Sequence, residues 1–123
     1  MVLVGKGSPE KDLDEALPEE FWEEYSLKAL LGNDARTRML QFFMVHQDWD
    51  YTLKDVARHT HTGERTLYRI APDLIKLGII KLSRGIGAAK LYIWNRENPI
   101  SKTLDKLALE IAVQLAKQAS AET

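Results

Sequence analysis

Residues 51–95 read YTLKDVARHTHTGERTLYRIAPDLIKLGIIKLSRGIGAAKLYIWN. Two short helical patterns flank a polar turn, and an alternating or apolar pair of strand patterns follows at once. Thr52-Leu-Lys-Asp55 carries a cap signature, a hydroxyl followed three residues later by an acid. It predicts a helix from Leu53 to about His59, with Leu53, Val56 and Ala57 on one face. His59–Thr62 reads as the turn, and Thr62 as the cap of a second helix over 63–77. Leu67, Ile70, Leu74 and Leu77 recur at intervals of three and four, which makes them its buried stripe. Gly78 stands where a left-handed helix exit is expected. Pro72 removes the hydrogen bond to the Tyr68 carbonyl. Because the stripe runs across it, the pattern predicts a kinked but continuous helix, the alternative being two pieces meeting at Ala71. Ile79–Ser83 and Leu91–Trp94 read as strands, with Arg84–Lys90 as the tip between them.

Outward from this stretch, Asn98-Pro99 predicts the start of a long final helix over 100–119. Its stripe is Leu104, Leu107, Ala108, Ile111, Leu115 and Ala119. Upstream, a helix from about Ala35 to His46 is capped by Asn33 or Asp34 and buries Met39, Leu40, Phe42, Phe43 and Val45, while Arg36 and Arg38 keep part of it wet. Tyr51 is placed to make a short strand beside the hairpin. Pro18 opens a further helix, with Glu19, Glu20, Glu23 and Glu24 at its positive end and an apolar surface reaching Leu30 and Leu31 before Gly32-Asn33. Residues 1–17 read as a flexible acidic arm, and 18–123 as one domain.

The chain has 123 residues, 45% of them hydrophobic and 28% charged, a soluble globular composition. No apolar run approaches the ~20 residues of a membrane helix. Met-Val-Leu-Val at the N-terminus is too short for a secretory signal, so a cytoplasmic location without membrane attachment is expected. The absence of cysteine removes disulfides, thiolate metal sites and cysteine nucleophiles. The formal net charge of −1 hides a segregation. Residues 1–27 hold eight acids against two lysines, while residues 51–94 hold eight cations against three acids. A basic segment inside a near-neutral chain is the electrostatic footprint of a phosphate-binding surface.

The helices and strands, in this order, resemble the winged helix-turn-helix family, and in particular its ArsR-like transcriptional regulators of bacterial and archaeal type. Leu31-Gly-Asn-Asp-Ala-Arg-Thr-Arg-Met-Leu40 is similar to the opening LGNxxRxxIL of that group. Thr52-Leu-Lys-Asp-Val-Ala57 resembles its sxxdIA helix. Thr66-Leu-Tyr-Arg69 with Leu74-Ile-Lys-Leu-Gly-Ile-Ile80 is similar to its TvyRxLxxLexxGLV recognition helix and exit, and Leu91–Asn95 to its returning wing strand. The resemblance spans about 28–95. It implies an α+β, mostly α fold with a two- to three-stranded antiparallel wing and a long C-terminal helix. It also implies a sequence-specific, double-stranded DNA-binding transcriptional regulator, with helix 63–77 in the major groove and wing 84–90 on the backbone or minor groove. Metal-sensing members use cysteine motifs, so metal sensing does not follow.

The expected DNA-binding residues are Thr62, Glu64, Arg65, Thr66, Tyr68, Arg69, Arg84 and Lys90. Thr66, Tyr68 and Arg69 take phosphate or base contacts by resemblance. Arg65 can pair both O6 and N7 of guanine, and Glu64 either accepts from cytosine N4 or only complements the helix dipole. Lys54 and Arg58 read as solvated. One such surface holds few phosphates and binds weakly. A homodimer through Leu104, Leu107, Ile111 and Leu115, with Leu30 and Trp22 joining, would set two recognition helices about 34 Å apart on a near-palindrome.

The alternative is a winged-helix protein-interaction module, an accessory factor of transcription or DNA segregation. The acidic arm has two readings, a solubilising tail and a competitor of DNA for the basic face. No catalytic constellation, cofactor fingerprint or metal spacing stands out. Gly85-Ile-Gly-Ala-Ala-Lys90 lacks the third glycine of a dinucleotide loop, and Gly5-Lys-Gly-Ser8 lacks the first glycine of a phosphate loop. His46, His59 and His61 with Asp48 and Asp50 match no ligand spacing and read as solvated. Trp49 and Trp94 read as packing residues.

Overall fold

The computed structural model describes residues 26–121. The acidic arm and the start of the helix expected from Pro18 lie outside the described residues. Five helices and one two-stranded antiparallel sheet follow in order: α1 Leu27–Leu31, α2 Ala35–Val45, α3 Leu53–Thr60, α4 Glu64–Lys76, β1 Ile80–Ile86, β2 Ala89–Trp94 and α5 Pro99–Ala121. The class is α+β, mostly helical. Among the described residues no helix is long and apolar enough to cross a membrane.

Capping chemistry sets the helix boundaries. Asp34 accepts from Thr37 N at 3.0 Å and opens α2. The Thr37 hydroxyl, and after it this backbone N–H, hold the Asp34 carboxyl below its usual range. Thr52 accepts from Asp55 N at 3.1 Å and opens α3. α1 takes a remote cap. Its Ser26 makes no side-chain cap bond, and Lys28 N donates instead to Gln41 Oε1, 3.0 Å away on α2. Gln41, only 2% exposed, is a buried polar residue that the apolar pattern of α2 does not reveal.

α3 continues one residue beyond the expected end, so the turn to α4 is His61–Gly63. His61 takes the left-handed conformation, φ 55° and ψ 45°, and its N–H returns to the last turn of α3. Thr62 is not the cap. Gly63 occupies that position and has no side chain to cap with, and the Thr62 hydroxyl is bonded to Arg38. α4 passes through Pro72 as one helix. Leu67, Ile70, Ala71 and Leu74 are buried while Pro72 is exposed. Leu77, expected in the stripe, is 53% exposed as the helix ends. Gly78 has φ +78°, and a Cβ there would collide with the Asn98 side-chain amide, so both backbone and packing require glycine.

β1 and β2 pair from Ile80↔Trp94 to Ile86↔Ala89. The hairpin turn is therefore only Gly87-Ala88, with φ +60° at Gly87. Arg84 and Lys90, expected at a loop tip, lie within the paired strands. Tyr51 and Tyr92 exchange backbone bonds of 2.9 and 2.8 Å, placing Tyr51 on the outer edge of β2 as a third, one-residue strand.

The core lies among α2, α3, α4, the base of the hairpin and α5. Its largest fully buried side chains include Trp94, Phe43, Leu27, Met39, Leu67 and Ile80. Trp49 departs from its expected packing role at 65% exposure. Asn98 Oδ1 accepts from Ile100 N at 2.8 Å and caps α5, with Pro99 as the first helical residue. Leu104, Leu107 and Ile111 pack on the core, and Ala108 is buried. Asp105 ties α5 to the rest. It accepts from Trp94 Nε1 at 3.2 Å and Gln47 Nε2 at 3.2 Å, and burial pushes its carboxyl upward despite both bonds.

Candidate nucleic-acid interface

The amphipathic period of α4 fixes what it shows to solvent. With Leu67, Ile70, Ala71 and Leu74 inward, Arg65, Tyr68 and Arg69 project outward, and Tyr68 is 55% exposed. Glu64 stands exposed in the first turn, where a carboxylate favours the helix dipole. Thr66 is half-buried beside it. Neither Arg65, Arg69 nor Lys90 has an ion-pair partner among the described residues. Uncommitted guanidinium groups on a convex helix are what a duplex backbone or a guanine edge can take up. Further along, Asp73 pairs with Arg36 of α2 at 3.2 Å, so the C-terminal half of α4 is partly neutralised. Lys54 is exposed, and Arg58 pairs with Asp55 at 3.2 Å.

Two expected contacts are already in use inside the protein. Thr62 Oγ1 accepts from Arg38 Nη2 at 2.9 Å. The same guanidinium donates from Nε to the Thr60 carbonyl at 3.0 Å and from Nη1 to the Asn33 carbonyl. Arg38 is thus no solvated cation: it fastens the α3–α4 turn to α2 and thereby sets where α4 begins. Thr60 and Thr62 are 22 and 24 residues away, and no local pattern encodes them as its partners. Arg84 is the second committed residue. Its Nε lies 2.9 Å from Asp50 Oδ2, and Ser83 Oγ donates to the same oxygen at 2.8 Å. These donors hold the Asp50 carboxyl below its usual range. Asp50 was expected to be merely solvated, whereas its side chain is 14% exposed. The site therefore divides into an open helical part, Arg65, Tyr68 and Arg69, and a hairpin part where Lys90 is open and Arg84 is held.

His46 and His59 serve packing, while His61 is exposed at the turn. Phe42 stacks on His59 with centroids 5.4 Å apart and meets His46 and Tyr51 at 4.5 and 4.9 Å, which joins α2, α3 and the edge strand. Among the described residues no group of three or more His, Cys, Asp or Glu side chains is arranged to hold a metal ion.

No protein-family model, curated protein or solved structure matches the chain. The interface consequently rests on its own geometry and charge.

Of the residues expected to dimerise, Leu104, Leu107 and Ile111 are half-buried against the chain's own core, and Leu115 is half-buried. Much of that stripe is thus spent within the domain. Leu30 and Leu31 of α1, which packs on α5, are 58% and 50% exposed.

Proposed function

We propose that this chain is a winged helix-turn-helix protein that binds double-stranded DNA sequence-specifically and regulates transcription as a homodimer. α3, the His61–Gly63 turn and α4 form the helix-turn-helix, and the β1–β2 hairpin with Tyr51 forms the wing. The observation that carries the reading is the outward face of α4. Arg65 and Arg69 stand there without an intramolecular counter-ion among the described residues, one turn apart and flanking Tyr68. The helix enters the major groove with Arg65 toward base edges and Arg69 toward phosphate, and Lys90 meets the adjacent backbone. No catalytic role is proposed.

The dimer surface we favour combines the exposed side of α1, Leu30 and Leu31, with the part of the α5 stripe not absorbed by the core. Molar mass in solution across a concentration series tests it, and a constant monomer mass rejects it.

A protein-docking role is the second reading. It is favoured by Tyr68, Ile75, Leu77, Leu82 and Ile86, apolar side chains between 39% and 56% exposed on α4, its exit and the hairpin. Binding to random duplex DNA over a salt series separates the two. DNA binding gives an affinity that falls steeply and linearly in log salt. No binding at low salt leaves the docking reading. Selection from a random duplex pool then yields the half-site and its spacing.

A further inference from the structure

The ladder changes phase at Ser83. Leu82 pairs with Tyr92 and Arg84 with Leu91, so Ser83 is an extra residue on β1. In a regular strand, neighbouring side chains point to opposite faces and cannot share one partner. The bulge changes that, and Ser83 and Arg84 both reach Asp50 Oδ2, at 2.8 and 2.9 Å. Arg84 Nη2 adds a longer contact to Oδ1 at 3.4 Å. Asp50 is itself fixed, because Tyr51 is bonded in both directions to Tyr92 on the far edge of β2. The carboxylate therefore spans the sheet, from the edge beside β2 to the bulge in β1. Beyond the bulge, residues 84–91 are exposed or half-buried and make no entry into the core cluster, so little else fixes their angle to the body.

We propose that Asp50 is a positioning residue for the wing: by receiving Ser83 and Arg84 at the β1 bulge it sets the angle at which the outer hairpin, with Lys90, is presented beside α4. The role of that angle in DNA binding rests on the function proposed above; the latch itself does not. On this assignment Arg84 acts through Asp50, and Lys90 is the wing cation left for phosphate. The latch has a consequence that charge alone does not predict. Removing a carboxylate from a DNA-facing surface raises affinity if only electrostatics matter. Losing a positioning contact lowers it.

The test compares the full chain with Asp50→Ala and with the exchanged pair Asp50→Arg/Arg84→Asp. Amide hydrogen exchange of the free protein is read over residues 84–91, with the amides of α4 as the internal standard. The expected result is exchange roughly three- to tenfold faster in the hairpin of Asp50→Ala, unchanged exchange in α4, and recovery to within about twofold in the exchanged pair. Unchanged hairpin exchange in Asp50→Ala, or no recovery in the exchanged pair, overturns the latch. On a duplex recovered by selection, Asp50→Ala is expected to bind roughly three- to tenfold more weakly. Tighter binding overturns the positioning role in recognition. If the unaltered chain binds no duplex at all, the DNA reading fails while the exchange result still decides the latch.

Discussion

Replacing Arg38 by Met removes the guanidinium that fastens the α3–α4 turn to α2 but keeps an apolar stem of similar reach. Three bonds go with it. The one to the Asn33 carbonyl is exposed, so water replaces that donor at little cost. The bonds to the Thr60 carbonyl at 3.0 Å and Thr62 Oγ1 at 2.9 Å are part-buried and charge-assisted, a class worth roughly 1.5–3 kcal/mol each. The Thr60 carbonyl is not orphaned, since the Thr62 hydroxyl lies 3.2 Å away as a second donor. That places the loss near the lower end, about 3 kcal/mol for the two together. For a domain of this size the melting temperature should drop by roughly 10–20 °C. Arg38→Lys keeps the charge and three donors on one nitrogen but lacks the planar fork that spans these acceptors, so it should lose about 1–2 kcal/mol. Urea unfolding followed by circular dichroism measures all three proteins. A loss below about 0.5 kcal/mol for Arg38→Met would falsify the argument, because it would mean that water substitutes freely at the turn. Equal losses for Met and Lys would point to the fork of donors, rather than charge, as the stabilising element.

Other expectations are independent of that turn. Arg69→Ala should weaken duplex binding across all sequences and lower the slope of log affinity against log salt by about one unit; an unchanged slope in a gel-shift series removes Arg69 from the phosphate contacts. His61→Gly relieves a left-handed non-glycine residue and should stabilise by about 0.5–1 kcal/mol in urea unfolding, whereas a destabilised variant would show that the His61 side chain makes contacts worth more than its backbone strain. Leu67→Ala, at a position with 0% exposure under the recognition face, should cost about 3–5 kcal/mol, and a loss under about 1 kcal/mol would mean that α4 is not seated as described. Asp105 has a folded-state pKa raised by burial, so its contribution to stability is present below the ordinary 3.8 and is lost as pH rises through the raised value. Unfolding measured from pH 3 upward should show the stability of the unaltered chain falling relative to Asp105→Asn; a difference that rises with pH would reverse the assigned cause.

The element order was legible in the sequence because its signals are local. Thr52 three residues before Asp55, Asp34 three before Thr37, the three-four spacing of Leu67, Ile70 and Leu74, and Gly78 at a helix exit each act within one turn of chain. Local steric and capping energies are the same wherever the segment sits, so pattern suffices for them. The outward set Arg65, Tyr68 and Arg69 followed as the complement of the buried stripe. Trp49 and Trp94 show the limit of residue type alone. One is 65% exposed and the other 1%, because strand pairing carries Trp94 over α5 while the loop leaves Trp49 in solvent.

What the sequence by itself determined, then, is the succession of helices and strands, the buried stripe of α4 and the concentration of positive charge in residues 51–94. Tertiary structure decided which of those charges are available. Arg38 and Arg84 look no different from Arg65 and Arg69 along the chain, yet the first pair meets a carbonyl, a hydroxyl and a carboxylate 22 to 34 residues away and the second pair meets no such partner among the described residues. A guanidinium is free or committed according to the acceptors within about 3 Å of it. Only folding brings distant acceptors to that distance, and so only the fold could separate the residues that hold the interface together from those that face a partner.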